Sequence, residues 1–470
     1  ATKHFITIPA MTSNKVYLAF DERMALHKPL PPLSDDDASD GTEPAVENPL
    51  RIHAIYEKLI QLEALDGYRR FIEIPCIPAS RGTIELAHSP EHYDRMAMTL
   101  TLSDEELRQL GTPNDLYYCR DTFLAARLAC GGVIECVNAV TDEKRSSNRA
   151  IAIVRPPGHH ATRDEAMGFC YFNNVAVAAK HALHTRRAQR VFILDWDIHH
   201  GNGIQDLTFD DPYIFYLSIH RASFGSRRDW FYPGTGRANE TGSGAAKGTN
   251  LNIVWGKGGM GDEEYAAAFS QVVLPLLYNF KPDLIIIACG LDAVQGDLIG
   301  DCGLSPRMYY TMTRSLLEAA PKTPIVAALE GGYNIEMSAT CMENVALALL
   351  DEPADFEARK TFYSWSHKSI MPQRCQVTTK ETKRMSKLAK YCEHEIKMTK
   401  ANRTALKAIK KSAHALERKG GTCLCGCHFM CQHSHSLPLK KRVKLYINSA
   451  SEDTDDIDDG EEPDTEEICE

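Results

Sequence analysis

The stretch RVFILDWDIHHGNG, residues 190–203, decides the fold. Its first part is an apolar run rich in β-branched and aromatic residues, which is typical of a strand buried on both faces. Two aspartates and two histidines follow within positions 195–200. Acids and imidazoles packed this tightly compete for protons unless something binds them. The stretch therefore predicts a buried strand whose carboxyl end carries a metal site or a hydrogen-bonded cap.

Five more apolar runs indicate buried strands, at residues 150–157, 213–220, 249–255, 283–290 and 324–333. Helical periodicity lies between them, at residues 173–183, 262–280, 306–320 and 337–350. Strands that are apolar on both faces and connected by helices form parallel sheets covered on both sides. The sequence thus predicts an α/β domain built on a parallel sheet.

Polar motifs follow several of these strands at their carboxyl ends. PPGHH comes after the first predicted strand, and SIH, GLD and EGGY end later ones. In open α/β sheets, ligands bind beyond the carboxyl ends of the strands. Residues that are far apart in the sequence are therefore expected to meet in one crevice.

Three side chains of this crevice are candidate metal ligands. Asp197 and His199 are one residue apart at a strand end, where side chains at i and i+2 point the same way. Asp292, at the end of another strand, can supply a third ligand. Two carboxylates and an imidazole with open positions suit a catalytic Zn²⁺, which keeps a site for water and substrate. The alternative is a hydrogen-bonded Asp/His turn that caps the sheet.

A hydrolase also needs a proton shuttle, and His159 and His160 are the candidates. Asp195 is close enough to orient one imidazole and Asn202 the other, which would make the two histidines chemically different. The alternative is that both histidines only pack in the core. Tyr333 follows two glycines, and a phenol at that strand end can donate a hydrogen bond to a developing oxyanion. A core tyrosine is the alternative there.

Length and composition limit the class of protein. The chain has 470 residues, 43% of them hydrophobic, enough for one large domain with a sizeable core. It has no run of about 18 apolar residues, so we predict no transmembrane helix. Residues 1–15 lack a secretory signal, and fifteen scattered cysteines favour the reducing cytosol or nucleus. The polar, proline-rich stretch 27–49 is expected to be a surface loop.

Charge is distributed unevenly towards the end of the chain. Residues 451–470 contain twelve acidic and no basic residues, which predicts a disordered acidic tail. Residues 380–419 predict a basic helical segment that is either solvated or contacts nucleic acid or an acidic partner. Residues 420–450 combine a Cys/His-rich cluster at 423–435 with the basic run PLKKRVKL at 438–445. Metal binding by the first and nuclear import by the second are left open.

Six motifs resemble the zinc-dependent histone deacetylases: RPPGHHA, GFCYFNNVAVAA, LDWDIHHGNGIQ, YLSIHR, CGLDAVQGD and LEGGYN. Asn202 and GFCYFNNVA make the chain more similar to class II, the Hda-like branch. The resemblance implies the arginase–deacetylase fold, a single eight-stranded parallel β-sheet with helices on both faces. We accordingly divide the chain into an N-terminal segment (1–14), a catalytic domain (15–352), a linker (353–379) and the three segments 380–419, 420–450 and 451–470.

The resemblance also implies residue roles. Zn²⁺ would bind to Asp197, His199 and Asp292, and Asn202 favours one metal ion over the two of the related arginases. His160 would be the general base and acid, with His159 as its electrostatic partner paired to Asp195, and Tyr333 would polarise the acetyl carbonyl. Substrate would contact Gly168, Phe169, Tyr232 and Ile299. A structural K⁺ is implied near Asp195, Asp197, His199 and Ser218.

The predicted function is hydrolysis of N6-acetyl-lysine in histones or other proteins to lysine and acetate, with a role in chromatin and transcription. Tyr333 argues for activity, because nearly inactive class II members have histidine there. One rival is a weakly active deacetylase-like scaffold. Another is a small-molecule amide hydrolase, but Leu298 and Ile299 stand where polyamine-specific relatives carry a glutamate.

The expected partners are acetylated histone tails or other acetyl-lysine proteins, together with a corepressor complex. We expect no sequence-specific DNA binding and no membrane. The expected location is the nucleus, the cytoplasm or both.

Overall fold

A computed structural model describes residues 14–31, 45–64, 69–111, 115–224 and 230–354. Most of the predicted N-terminal segment lies outside these residues. The predicted linker beyond residue 354, the basic segment, the Cys/His-rich cluster and the acidic tail also lie outside them.

The described chain forms one sheet of eight strands, in the order β2-β1-β3-β8-β7-β4-β5-β6, and every neighbouring pair is parallel. This confirms the predicted fold class. The strands are β1 (Val16–Ala19), β2 (Phe71–Ile74), β3 (Arg149–Ala152), β4 (Val191–Asp195), β5 (Ile214–Arg221), β6 (Asn250–Trp255), β7 (Leu284–Cys289) and β8 (Ile325–Leu329). Apolar runs predicted six of them, and the runs overestimated the length of several because they continue into the loops that follow.

Helices cover the sheet in two groups. They are α1 (Leu50–Ala64), α2 (Arg81–Ile84), α3 (Pro90–Met98), α4 (Asp104–Gly111), α5 (Thr122–Thr141), α6 (Asn174–His184), α7 (Asn202–Thr208), α8 (Asp262–Ala268), α9 (Leu274–Phe280), α10 (Pro306–Ala319) and α11 (Ile335–Leu349). Helices α1, α10 and α11 pack together, and α5 packs against α6, which in turn contacts α7. The predicted helix 262–280 is interrupted by a π-helical turn, Phe269–Val273. Pro275 lies two residues after that turn and cannot donate a backbone hydrogen bond, which accounts for the break.

Helix α5 is long and apolar enough to cross a membrane, judged by length and composition alone, so the absence of a transmembrane helix stays a prediction. Its apolar window is 72% buried inside the molecule. The helix packs against β1, β3 and α6. Core packing accounts for its composition.

Two residues of the predicted surface loop at 27–49 are not at the surface, although residues 28, 29 and 31 are exposed as predicted. His27 and Glu47 are fully buried. Glu47 forms ion pairs with Arg51, at 2.9 Å, and with Arg155, at 2.7 Å, and neither arginine side chain is exposed. A buried carboxylate is stable only when it is paired in this way. The two ion pairs therefore account for the burial of Glu47.

Candidate active site

The four middle strands of the sheet, β3, β8, β7 and β4, lie side by side. PPGHH follows β3, EGGY follows β8, GLD follows β7 and DWDIHH begins at the last residue of β4. Parallel strands end at the same edge of a sheet, so these motifs meet in one crevice. The structure therefore brings together the side chains that the sequence predicted to converge.

Asp197, His199 and Asp292 form a buried cluster in this crevice. Their ligand atoms all lie within 4.8 Å of one another. His199 Nδ1 is 3.1 Å from Asp197 Oδ1 and 2.9 Å from Asp292 Oδ2. Neither carboxylate is exposed, and His199 is 6% exposed. A single cation between them would contact all three side chains.

The charges of this cluster also favour a cation. Burial, and next the carboxylate of Asp197, raises the pKa of Asp292 to about 7. Two buried carboxylates this close repel each other unless a proton or a cation lies between them. Two carboxylates and one imidazole are ligand types that Zn²⁺ accepts in catalytic sites. The cluster thus fits a divalent metal ion.

Two glycines allow the backbone to pass beside the carboxylates. A Cβ at Gly331 would lie 2.5 Å from Asp292 Oδ2 and 2.6 Å from Asp197 Oδ2. A Cβ at Gly290 would lie 2.1 Å from Asp197 Oδ2. Gly331 uses this close approach to donate its N–H to Asp197 Oδ2, at 2.9 Å. Any larger residue would displace the carboxylates from one another.

His159 and His160 have different partners, as the sequence predicted. His159 Nδ1 lies 3.3 Å from Asp195 Oδ2, whereas His160 Nδ1 lies 2.8 Å from the amide oxygen of Asn202. The Asn202 amide nitrogen donates to the backbone carbonyl of His160, which leaves its oxygen to accept from the ring. His160 Nδ1 therefore carries the proton, and in the neutral ring Nε2 is free to accept another.

The electrostatic surroundings separate the two imidazoles further. Burial alone would lower the pKa of His159, but the carboxylates of Asp197 and Asp195 outweigh it and raise that pKa to about 10. Burial, and then the neighbouring His159 and His199, lowers the pKa of His160 well below its ordinary value. One ring is thus biased towards the charged form and the other towards the neutral form.

Aromatic rings surround the approach to the cluster. The ring of Phe169 lies 5.9 Å from that of Tyr333, and the ring of Tyr232 lies 5.0 Å from that of His160. A Cβ at Gly168 would lie 2.7 Å from the Tyr232 hydroxyl, so only glycine lets this ring approach. Gly168 and Phe169 both have positive φ, 54° and 64°, in a tight turn closed by paired backbone bonds between Met167 and Cys170. That turn points the Phe169 ring towards Tyr333.

Three further predicted residues have clear positions. Ser218 lies opposite Asp195 in the β4–β5 pairing, and its hydroxyl is 2.8 Å from His220 Nδ1. Ile299 is 37% exposed, in the loop after Asp292. Tyr333 is 7% exposed.

Sequence reasoning assigned no role to several residues that hold this site. Glu330 is fully buried, and its Oε2 accepts the backbone N–H groups of Gly158 and His159, at 2.7 and 3.0 Å. The Tyr216 hydroxyl donates to Asp195 Oδ2 at 2.9 Å. Arg51 donates to the carbonyls of Glu330 and Gly332, at 2.5 and 2.7 Å. Glu330 lies within a quoted motif, but nothing local in the sequence marks Arg51.

Comparison with known proteins agrees with this geometry. The family described as histone deacetylase domain matches residues 45–349. The chain belongs to the histone deacetylase family. The predicted catalytic domain of 15–352 is wider than the match, and its bounds stay a prediction.

Fungal relatives and a solved structure show the same family. The chain is 40% identical over 355 residues to histone deacetylase HDA1 of Saccharomyces cerevisiae, covering 73% of this chain and 49% of the relative. It is 41% identical over 350 residues to histone deacetylase clr3 of Schizosaccharomyces pombe, covering 72% and 48%. The crystal structure of the HDA15 HD domain superimposes with a TM-score of 0.65 at 34% identity, over 74% of this chain and 93% of that one.

These matches confirm the predicted resemblance to the Hda-like branch of histone deacetylases. The chain spans about half the length of the two curated fungal relatives that it matches.

Proposed function

We propose that this histone deacetylase family member is a zinc-dependent protein-lysine deacetylase, which hydrolyses N6-acetyl-lysine to lysine and acetate. The observation that carries the proposal is the meeting of a buried Asp197–His199–Asp292 cluster with His160 in one crevice, where Asn202 holds His160 Nδ1 and burial lowers the pKa of that ring. A metal ligand set and a free general base are the two requirements of metal-assisted amide hydrolysis.

Asp197, His199 and Asp292 would hold the zinc ion through one atom each. When bound, Zn²⁺ supplies Lewis acidity, which polarises the acetyl carbonyl and lowers the pKa of a bound water. Support comes from the repulsion between the two buried carboxylates, which a divalent cation would relieve. The histone deacetylase family is itself zinc-dependent.

His160 would accept the proton of the attacking water at Nε2, because Asn202 already occupies Nδ1. The same proton would then pass from His160 to the leaving lysine amine. His159, paired to Asp195, would stabilise negative charge that develops beside it. The opposite pKa shifts of the two rings support this division of roles.

Tyr333 would donate its phenolic hydrogen to the oxyanion that forms as water attacks the acetyl carbonyl. Burial raises the pKa of Tyr333 well above its ordinary value, so the phenol keeps the proton that it needs as a donor. The rings of Phe169 and Tyr232 would enclose the apolar lysine stem, Gly168 would hold the substrate amide, and Ile299 would contact the substrate near the entrance.

A structural K⁺ near Asp195, Asp197, His199 and Ser218 is part of this proposal. The Asp195 carboxylate and the Ser218 hydroxyl belong to paired residues of β4 and β5, so oxygen ligands of the kind that K⁺ prefers are close together there. Its role would be to offset the negative charge behind the metal cluster.

The proposed substrates are acetylated histone tails or other acetyl-lysine proteins. Ile299 supports this over an acetylated polyamine, because an apolar side chain offers no partner to a polyamine cation. We propose a nuclear location, with some cytoplasmic protein, and a corepressor complex as the assembly in which the enzyme acts. The histone deacetylase names of the fungal relatives support histones as substrates.

The decisive experiment combines metal analysis with two substrates. Purified protein should contain about one zinc per chain and release acetate from an acetyl-lysine peptide. An acetylated polyamine assayed in parallel should react with a much lower kcat/KM. A higher kcat/KM for the polyamine would overturn the protein substrate, and zinc-loaded protein inactive on both would overturn the enzyme reading.

A further inference from the structure

The position of Tyr333 depends on its backbone, because the two residues before it are glycines. Gly332 has a φ of 121°, a conformation that side chains rarely adopt, and Gly331 precedes it. Glycine pairs rotate easily, so the direction of a following side chain is set by whatever holds the chain. Arg51 holds the carbonyl of Gly332. A different side chain holds the backbone N–H of Tyr333.

The carboxylate of Asp297 holds the backbone N–H of Tyr333. Its Oδ2 accepts the backbone N–H of Tyr333 at 2.7 Å and that of Asn334 at 3.2 Å. Its Oδ1 accepts the N–H groups of Ile299 and Gly300, at 3.0 and 3.1 Å. Four donors converge on one side chain. Only an ionised carboxylate offers acceptors on both oxygens without presenting a donor of its own.

A second contact binds the same two segments. The Asn334 amide nitrogen donates to the carbonyl of Gly296 at 2.8 Å, while the Asn334 amide oxygen accepts the Met337 N–H and caps helix α11. The start of α11, the Tyr333 backbone and loop 296–300 are therefore tied together. This loop carries Leu298 and Ile299, which are 65% and 37% exposed.

We propose that Asp297 is a positioning residue that couples the substrate-side loop 296–300 to the phenol of Tyr333. One carboxylate oxygen sets the loop that would contact the incoming substrate, and the other sets the backbone of the proposed oxyanion donor. Both sets of hydrogen bonds use the same side chain, so the loop and the phenol keep a fixed position relative to each other. This inference rests on the deacetylase function proposed above.

The kinetic test uses Asp297→Asn and Asp297→Ala, each made in the wild-type and in the Tyr333→Phe background. Asparagine keeps the shape but turns a donor towards one N–H pair, and alanine removes both acceptors. Displacement of a reacting group by about 1 Å costs up to about 10²-fold in rate. We expect kcat on an acetyl-lysine peptide to fall on the order of tenfold with asparagine and further with alanine.

In the Tyr333→Phe background the same substitutions should lower kcat by less than about twofold, because the hydroxyl that they displace is already gone. The rise in KM that follows from loosening loop 296–300 should persist in both backgrounds. Equal fold losses of kcat in the two backgrounds, or no loss in the wild-type background, would overturn the proposal.

Asp283→Asn is the matched control, because Asp283 Oδ2 also accepts two backbone N–H groups, those of Gln189 and Arg190, at 3.0 Å each. These N–H groups lie just before β4, at the amino ends of the strands, whereas the crevice lies at their carboxyl ends. The control should leave kcat and KM unchanged even if it lowers the melting temperature.

Amide hydrogen exchange at Tyr333 and Asn334 supplies a readout without turnover. It should accelerate in Asp297→Ala, which removes both acceptors, and not in Asp283→Ala. If the wild-type protein hydrolyses no acetylated substrate, the proposed function fails on its own. Unchanged exchange at Tyr333 in Asp297→Ala would instead show that Asp297 does not hold the Tyr333 backbone.

Discussion

The ring nitrogen Nδ1 of His160 lies 2.8 Å from the amide oxygen of Asn202. A neutral amide fixes the orientation of the ring without adding a charge to it, so burial and the positive field of His159 dominate the pKa of His160. The neighbouring His159 instead faces a carboxylate. The amide of Asn202 therefore makes His160 a candidate base, and the carboxylate of Asp195 makes His159 a candidate cation.

Removal of a candidate metal ligand should remove both metal and activity. Asp197→Ala and Asp292→Ala each leave only two of the three ligands, so we expect zinc content to fall to background and turnover to disappear. Metal analysis after dialysis, with circular dichroism to check folding, measures this. Asp283→Asn, at a distant exposed acid, serves as the control. A folded Asp292→Ala protein with full zinc occupancy would rule out the site.

The two adjacent histidines should differ in their contribution to rate. Loss of a general acid–base group typically costs about 10²–10⁴-fold, so we expect His160→Ala to lower kcat by that order and His159→Ala by less. His184→Ala, at the exposed end of α6, should have no effect. Equal turnover of all three variants and the wild type would show that neither histidine transfers a proton.

Replacement of Asn202 by aspartate should shift the pH profile. A carboxylate at Nδ1 favours the charged ring and raises the pKa of His160. The neutral ring is the active base. On acidification, Asn202→Asp should therefore lose activity at a higher pH than the wild type does. The acidic limb of kcat/KM should therefore move towards neutral pH in Asn202→Asp. A limb that stays in place would mean that another group controls it.

Tyr333→Phe tests the choice between an enzyme and a scaffold. Loss of one oxyanion donor typically costs on the order of 10²–10³-fold, or about 3–4 kcal/mol of transition-state stabilisation. We expect that loss in kcat and in kcat/KM alike, with folding and zinc content unchanged. A trifluoroacetyl-lysine peptide should recover part of the rate. Tyr213→Phe, at a tyrosine that is 60% exposed, is the control. Wild-type turnover in Tyr333→Phe would make the hydroxyl structural only.

The buried ion network around Glu47 should dominate acid stability. Burial alone would raise the pKa of Glu47, but Arg155 and Arg51 outweigh it and lower the pKa well below its ordinary value. Glu47→Gln leaves two buried guanidinium groups without a carboxylate, which typically costs about 3–5 kcal/mol of unfolding free energy. Glu73→Gln, at an exposed carboxylate that accepts the Tyr56 hydroxyl, should cost much less.

The difference in unfolding free energy between the wild type and Glu47→Gln should depend on pH in one direction. Because the pKa of Glu47 is lower in the folded than in the unfolded state, its contribution is complete above the unfolded-state pKa of about 4.3 and declines as the pH falls below it. Urea unfolding at neutral and acid pH should therefore show the gap between wild type and Glu47→Gln narrowing in acid. A gap that is constant with pH would mean that the Glu47 charge does not stabilise the fold.

Local patterns predicted much of this molecule, because they record which surfaces become buried. A strand such as Val191–Asp195, with no exposed face, must be apolar throughout, and its last residues can be polar only where the chain leaves the sheet. That is why DWDIHH, GLD and EGGY could be placed at one edge before the strand order was known. No such apolar run marked β2, at one edge of the sheet, or its neighbour β1, each four residues long.

Tertiary structure alone decided which charges meet. Arg155 and Glu47 are 108 positions apart, and Arg51 reaches a carbonyl 281 positions away. Asp297 belongs to a motif that the sequence already singled out, yet its hold on Tyr333 exists only because β7 and β8 are neighbours. Hydrophobic periodicity is a property of each segment by itself. The pairing of a buried charge depends on the partner that folding brings beside it, and no local pattern records that partner.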